Sequence, residues 1–175
     1  CKEPPKIEPQ IHLANDCNDW SDIFECKSWL ANGATGMVFF GTLKVQRTPV
    51  ALKRVLKTNF DEKMAHYFFR EFKITKACQH PNIATVFSAY EVPFPAFIME
   101  LLGKTLDQST TEQAIDNDGV LVAFDNAAAA VQYLHSVSIA HRDIKPHNLC
   151  HPFHCDSWEV KLIDFDAGRN SRSTC

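Results

Sequence analysis

Between residues 27 and 56 the chain carries three β-rich runs, KSWLANG, MVFFGTLKV and PVALKRVL, separated only by short Gly-containing or polar breaks. Breaks that short leave no room for a parallel crossover, so the runs must turn back on one another as antiparallel strands. A helical stretch follows, NFDEKMAHYFFREFKITKAC at 59–78. Asn59 with Glu62 resembles a capping box. Met64, Phe68, Phe72 and Thr75 repeat at four- and three-residue steps, which gives one mostly apolar face. Glu71 borders that face, and His80 and Pro81 end the helix. Two more strand-like runs, NIATVFSAYEV and AFIMELL, come next. Five antiparallel strands with one inserted helix are the mark of an α+β fold.

Beyond residue 102 the texture changes. Residues 103–117 read as a polar connection. GVLVAFDNAAAAVQYLHSV reads as a long helix, with Leu121, Phe124, Ala128, Val131 and Leu134 at helical spacing and four consecutive alanines that favour helix. A short strand, EVKLI, lies further on. Pro4, Pro5 and Pro9 make the first residues an extended lead-in. The expected division is a lead-in over 1–27, a small lobe over 28–102 and a mainly helical large-lobe portion over 103–175.

A hydrophobic content of 45% with 22% charged residues is that of a globular chain, not a disordered one. The net charge of −3 supplies no general basic surface, so nucleic acid is not expected as a partner. No apolar run reaches membrane-spanning length. The seven cysteines form no regular framework and no stretch looks like a secretory signal, so reduced thiols in the cytoplasm are expected. The chain begins at Cys1 rather than Met, which suggests a trimmed, processed or incomplete protein.

Several residues carry chemistry. In LANGATGMV, Gly33 and Gly36 lie between two strands, where small residues let backbone N–H groups approach phosphates. A plain hairpin turn would use them equally well. Lys53 stands inside the apolar run VALKRV. A lone strand lysine is usually a solvated edge residue, but Glu71 on the following helix can form a partly buried ion pair that aims the ammonium. In HRDIKPHNL, Asp143, Lys145 and Asn148 fall within six residues, close enough to serve as proton acceptor, phosphate clamp and metal ligand. Asp164, after VKLI, offers a hard oxygen of the kind magnesium prefers.

In order and spacing, LANGATGMV, VALK, REFKI, HPNI, IMELL, HRDIKPHN and LIDFD resemble the protein-kinase signature set, over about residues 28–168. The Lys of DIKPHN resembles the serine/threonine type. The resemblance implies ATP and Mg²⁺ as cofactors and a Ser/Thr hydroxyl of a protein as substrate. It implies that Lys53 holds the α- and β-phosphates and pairs with Glu71. Asp143 would orient the substrate hydroxyl and accept its proton, and Lys145 would touch the γ-phosphate. Asn148 and Asp164 would hold magnesium. Ala31, Gly33 and Gly36 would form the loop over the phosphates. Met99 would be the gatekeeper, Glu100 and Leu102 would offer backbone groups to adenine, and Val38, Ala51 and Cys150 would sandwich the ring. Thr75, Val86, Phe165 and His141 would form the stack that locks the active arrangement.

The chain departs from the family pattern in places. Ala31 replaces the first loop glycine, Thr35 stands at a tip that is often aromatic, and Thr75 is polar where leucine is usual. Asp166 replaces the glycine of the DFG motif; its charge either repels Asp164 or adds a metal ligand. Only eleven residues follow Asp164, so the activation segment and the later large-lobe helices of the family are missing. The apolar face of residues 120–134 is then expected to lack packing partners and to invite aggregation or a regulatory partner that covers the incomplete large lobe. Two clusters stand apart. CHPFHC at 150–155 has two Cys and two His, but so close a set strains a tetrahedral zinc site. Phe60, Tyr67, Phe68, Phe69 and Phe72 are expected in a core rather than on a docking face. The leading expectation is part of a serine/threonine kinase catalytic domain; the alternative is a kinase-like module that binds or regulates a partner without catalysis.

Overall fold

The computed structural model describes residues 19–33, 35–55, 62–91, 93–112, 114–153, 157–165 and 168–170. Asn59, Phe60, His154, Cys155 and Asp166 lie outside them, and so does the first part of the lead-in. A single helical turn, α1 (Trp20–Ile23), is capped by Asp19, whose carboxylate accepts from Ser21 N at 2.8 Å. The first strand, β1 (Phe24–Asn32), starts inside the stretch read as lead-in. With β2 (Met37–Leu43), β3 (Pro49–Arg54), β4 (Val86–Tyr90) and β5 (Ala96–Glu100) it forms a five-stranded sheet in the order β1-β2-β3-β5-β4. All four pairings are antiparallel; the short breaks explain β1–β2 and β2–β3, whereas β3 and β5 pair across a long intervening segment.

The central strand β3 shows how this sheet places a lysine. Alternate residues of a strand face opposite sides. Val50 and Leu52 enter one apolar core with Phe24, Leu43, Tyr90, Ala96 and Ile98. Ala51 and Lys53 therefore face the other side, where α2 (Glu62–Ala77) packs. The α2 contact is aromatic: Phe68 is fully buried, and its ring lies 5.0 Å from that of Phe97 on β5. Phe68, Val55, Val86 and Phe97 form this second core, with Phe69 and Phe72 against it. Phe68, Phe69 and Phe72 thus serve packing, while Tyr67 meets His66 and Arg70 of its own helix.

The 103–117 stretch corrects the sequence reading. It is not plain connection: β6 (Leu102–Thr105) and α3 (Leu106–Glu112) lie in it. β6 pairs with β8 (Leu149–Pro152), which pairs with β9 (Lys161–Leu162). The LDQSTTE helix buries no residue, so no apolar period marks it.

The long helix, α4 (Asn117–Ser136), is capped by Asp116, which accepts from Gly119 N at 2.7 Å. Its buried stripe is Gly119, Ala123, Ala130 and Leu134. Leu121 and Phe124, expected on one face with Leu134, are 60% and 67% exposed. The reason is close approach. A Cβ at Gly119 would sit 2.4 Å from Trp158 Cδ1, so small residues line the contact and larger apolar side chains are turned outward.

A third core joins the two parts of the chain. It contains Cys78 and Ile83 from the end of the small-lobe helix and its following loop, Ala130 and Leu134 from α4, and Leu149, Leu162 and Phe165. Leu162 N donates to Asn82 O at 2.8 Å and Ala84 N to Leu162 O at 3.0 Å. The last described strands, β7 (Ile139–Ala140) and β10 (Arg169–Asn170), pair antiparallel.

Candidate active site

Cross-strand register aligns Ala31 with Val38, Val38 with Lys53, and Ala51 with Met99. Because opposed residues share a face, these five sequence-predicted residues lie on the side of the sheet that α2 covers. Ala51 is buried, Val38 and Met99 are half-buried and Ala31 is exposed. Gly36 is needed for space rather than for backbone freedom. No described glycine has positive φ, but a Cβ at Gly36 would lie 2.3 Å from Arg54 O on β3. Gly36→Ala is expected to cost about 1–3 kcal/mol, since backbone must move to admit the methyl group. Urea unfolding of the variant measures this, and a midpoint equal to wild type refutes it.

Lys53 is at the centre. Its Nζ donates to Glu71 Oε1 at 2.6 Å and to Asp164 Oδ1 at 3.1 Å. The Lys53 and Glu71 side chains are 6% and 4% exposed. Burial works against the ammonium, yet the two carboxylates outweigh it and hold its pKa above the ordinary lysine value. Burial pushes Glu71 up against the opposing pull of Lys53. Thr75 Oγ1 donates to Glu71 O at 2.9 Å, so the polar residue at this stack position is satisfied within its own helix.

The HRDIKPHN segment forms a second knot. Lys145 Nζ and Asn148 Nδ2 both reach Asp143 Oδ2, at 2.7 and 3.0 Å, and Asn148 Nδ2 also donates to Asp143 O at 2.8 Å. The Lys145 bond first, with Asn148 behind it, holds Asp143 below the usual aspartate range despite partial desolvation. His141 Nδ1 accepts from Asp143 N at 3.3 Å, and its Nε2 bonds to Ile163 O at 2.9 Å. Accepting at Nδ1 leaves the proton on Nε2.

Ile163 ties the two knots together. Its carbonyl is held by His141, and its N–H donates to Asn148 O at 2.9 Å. With both backbone groups anchored to the HRD segment, the next residue, Asp164, is delivered to Lys53. Asp164 and Arg142 take φ of 66° and 68°, left-handed values that are strained for residues other than glycine and tend to cluster at functional sites. Of the expected stack, Thr75, Val86, His141 and Phe165 are all buried. The His141 and Phe165 rings meet edge-on at 4.6 Å.

Cys150 is buried, and burial, with the Asp107 charge behind it, pushes its thiol up to about 12. A protonated thiol suits an apolar wall better than a metal. Among the described residues no group of three or more Cys, His, Asp or Glu is placed to hold a metal.

Glu100 holds more than its backbone suggests. Its carboxylate accepts from Lys161 at 2.9 and 2.8 Å and from Thr85 N at 2.7 Å. This clamp joins the end of β5 to the strand before Asp164. Sequence reasoning assigned only backbone groups of Glu100, and missed both Lys161 and the Thr35 bond described below.

The arrangement offers a buried, oriented ammonium, a carboxylate held ionised, and an amide and a carboxylate oxygen nearby. A protein kinase domain model matches residues 24–174. The mitogen-activated protein kinase HOG1B of Wallemia ichthyophaga is 28% identical over 139 residues, 78% of this chain and 37% of that protein. Mitogen-activated protein kinase mpkC of Aspergillus niger is 29% identical over 139 residues, 78% of this chain and 34% of its own length. Mitogen-activated protein kinase sakA of Aspergillus fumigatus gives 28%, with 78% and 37% covered. The chain thus spans about a third of the length of these relatives.

Proposed function

The chain belongs to the protein kinase domain family, and from that premise we propose that it carries the nucleotide-binding and catalytic-loop part of a serine/threonine protein kinase. The observation that carries the reading is Lys53, held at once by Glu71 and Asp164 beside the Asp143–Asn148 knot. In this reading Lys53 binds the α- and β-phosphates of ATP, with Glu71 fixing its direction. Asn148 and Asp164 present the hard oxygen donors that suit Mg²⁺. Bound Mg-ATP supplies the transferable γ-phosphoryl group and the neutralising cation. Asp143 orients the Ser/Thr hydroxyl of a protein substrate and takes its proton, and Lys145 faces the γ-phosphate. Ala31, Gly33, Gly36, Val38, Ala51, Met99, Glu100, Leu102 and Cys150 enclose the nucleotide. The hydroxyl-bearing substrate, the cofactors and the cytoplasmic setting are parts of the same proposal. Unpaired Cys26, Cys78 and Cys150 support that setting, and no helix among the described residues is long and apolar enough to cross a membrane.

A second reading, a kinase-like module that binds a regulatory partner without phosphotransfer, draws on the outer face of α4. Leu106, Val120, Phe124, Val131 and Ile144 line a cavity of about 800 Å³ there, whose lining also includes Lys145 of the HRD segment.

Thermal unfolding with ATP, with and without Mg²⁺, separates the readings. Mg-ATP at about 100 times its dissociation constant should stabilise the fold by about 2.7 kcal/mol. Asp164→Asn should lose the Mg²⁺-dependent part. A cooperatively unfolding chain that shows no shift would rule out the nucleotide site and leave the binding-module reading.

A further inference from the structure

The residue at the tip of the glycine loop is bound to the catalytic ion pair. Thr35 Oγ1 donates to Glu71 Oε2 at 3.1 Å, while Lys53 takes Oε1 of the same carboxylate at 2.6 Å. Thr35 is only 8% exposed. Gly33 N donates to Gly36 O at 2.7 Å, which closes the turn tightly. A Cβ at Gly33 would lie 3.7 Å from Lys53 Cε and 3.8 Å from Nζ. The loop therefore lies on the lysine and is fastened to the carboxylate that holds it. A phosphate oxygen that is to reach Nζ must displace this cover.

We infer that the Thr35 hydroxyl is a latch, which fastens the glycine loop over the Lys53–Glu71 pair so that Mg-ATP binds in competition with it. The competition rests on the nucleotide reading above; the latch rests on geometry alone. A hydrogen bond to an ionised acceptor is among the stronger ones. With the loop down, Glu71 Oε2 has Thr35 as its donor; with the loop lifted, it meets water. Removing the hydroxyl therefore disfavours the closed arrangement specifically. Apparent affinity scales with the fraction of molecules that are open to ligand.

Thr35→Val keeps the side-chain shape and loses the donor, and Thr35→Ser keeps the donor. Two measurements on each variant test the latch. The first is amide hydrogen exchange of residues 33–37 without nucleotide. Exchange in Thr35→Val should be at least about fivefold faster than in wild type, with Thr35→Ser close to wild type. The second is Mg-ATP affinity, which Thr35→Val should tighten by up to about tenfold. A residue that only supports the fold moves affinity the other way. Unchanged exchange in Thr35→Val overturns the latch. Faster exchange with equal or weaker affinity overturns the competition and makes the hydroxyl an aligning group. If exchange quickens but neither wild type nor variants bind Mg-ATP, the latch stands and the kinase reading falls.

Discussion

Lys53→Met is expected to destabilise the chain by about 3–5 kcal/mol, the usual result of removing one partner from a buried ion pair. Methionine fills the same length of space but turns a thioether toward Glu71 Oε1 and Asp164 Oδ1, which now face an ammonium at 2.6 and 3.1 Å. With the glycine loop down, the Glu71 side chain is only 4% exposed. The pH dependence separates this cause from lost packing. Burial already raises the Glu71 pKa, and without Lys53 nothing as strong opposes it. A raised folded-state value means that the folded chain holds a proton that the unfolded chain releases, so stability falls as pH rises above the unfolded value of about 4.3. The gap between Lys53→Met and wild type should therefore narrow as pH falls to about 4. At the other end, the raised Lys53 pKa makes the wild-type contribution complete below about pH 10.4 and lost as pH climbs through the folded value. Denaturant titrations of wild type, Lys53→Met and Lys53→Met/Glu71→Leu test the account. The double variant should recover much of the loss, because it removes the stranded charge. A single variant within about 1 kcal/mol of wild type would show that the pair does not hold the site together.

That ion pair also shows where sequence reading succeeds. Lys53 sits in an apolar run, and a strand has only two faces. Once Val50 and Leu52 go to one core, Lys53 has to share the other face with Ala51 and meet the helix. Glu71 lies one turn from Phe68 and Thr75, so helical spacing alone brings it near. The Asp143–Lys145–Asn148 knot was legible for a similar reason: its members are within six residues, and local backbone does the rest. Periodicity could not tell which side of α4 faces inward. Two apolar stripes run along that helix, and the core took the one with small residues because Trp158 comes so close to Gly119. Nor could it reveal β6, whose pairing with β8 is made by residues nearly fifty positions away, or the short polar α3. The Thr35–Glu71 and Glu100–Lys161 bonds span 36 and 61 residues. Tertiary placement creates such contacts, and no local pattern encodes them.

Asp143→Asn is expected to lower kcat for protein phosphorylation by about 10²- to 10⁴-fold, the range for loss of a positioned acid–base group. The KM for ATP should stay within about threefold of wild type, because the proposed function has Asp143 act on the hydroxyl and not on the nucleotide. The geometry assigns its oxygens different tasks. Both side-chain donors, Lys145 Nζ and Asn148 Nδ2, fall on Oδ2, so in the proposed reading Oδ1 would face the substrate. Lys145 holds the carboxyl below its ordinary value, so it is a weak base toward an alcohol in the ground state. In the proposed reading its first contribution would be orientation, and it would take the proton late, once bond formation to phosphorus has made the hydroxyl acidic. A depressed pKa places the acid limb of the kcat profile below about pH 3.9 in the wild type. Lys145→Met removes the largest cause of the depression and should move that limb upward, toward the ordinary aspartate value. Steady-state rates of wild type, Asp143→Asn and Lys145→Met, each measured across pH, decide the matter. If Asp143→Asn keeps more than about a tenth of kcat, Asp143 neither orients nor deprotonates the hydroxyl, and the knot around it is a folding device that happens to sit beside Lys53. If kcat falls and the Lys145→Met limb moves, the same two hydrogen bonds that fix Asp143 in place also set the proton affinity with which it works.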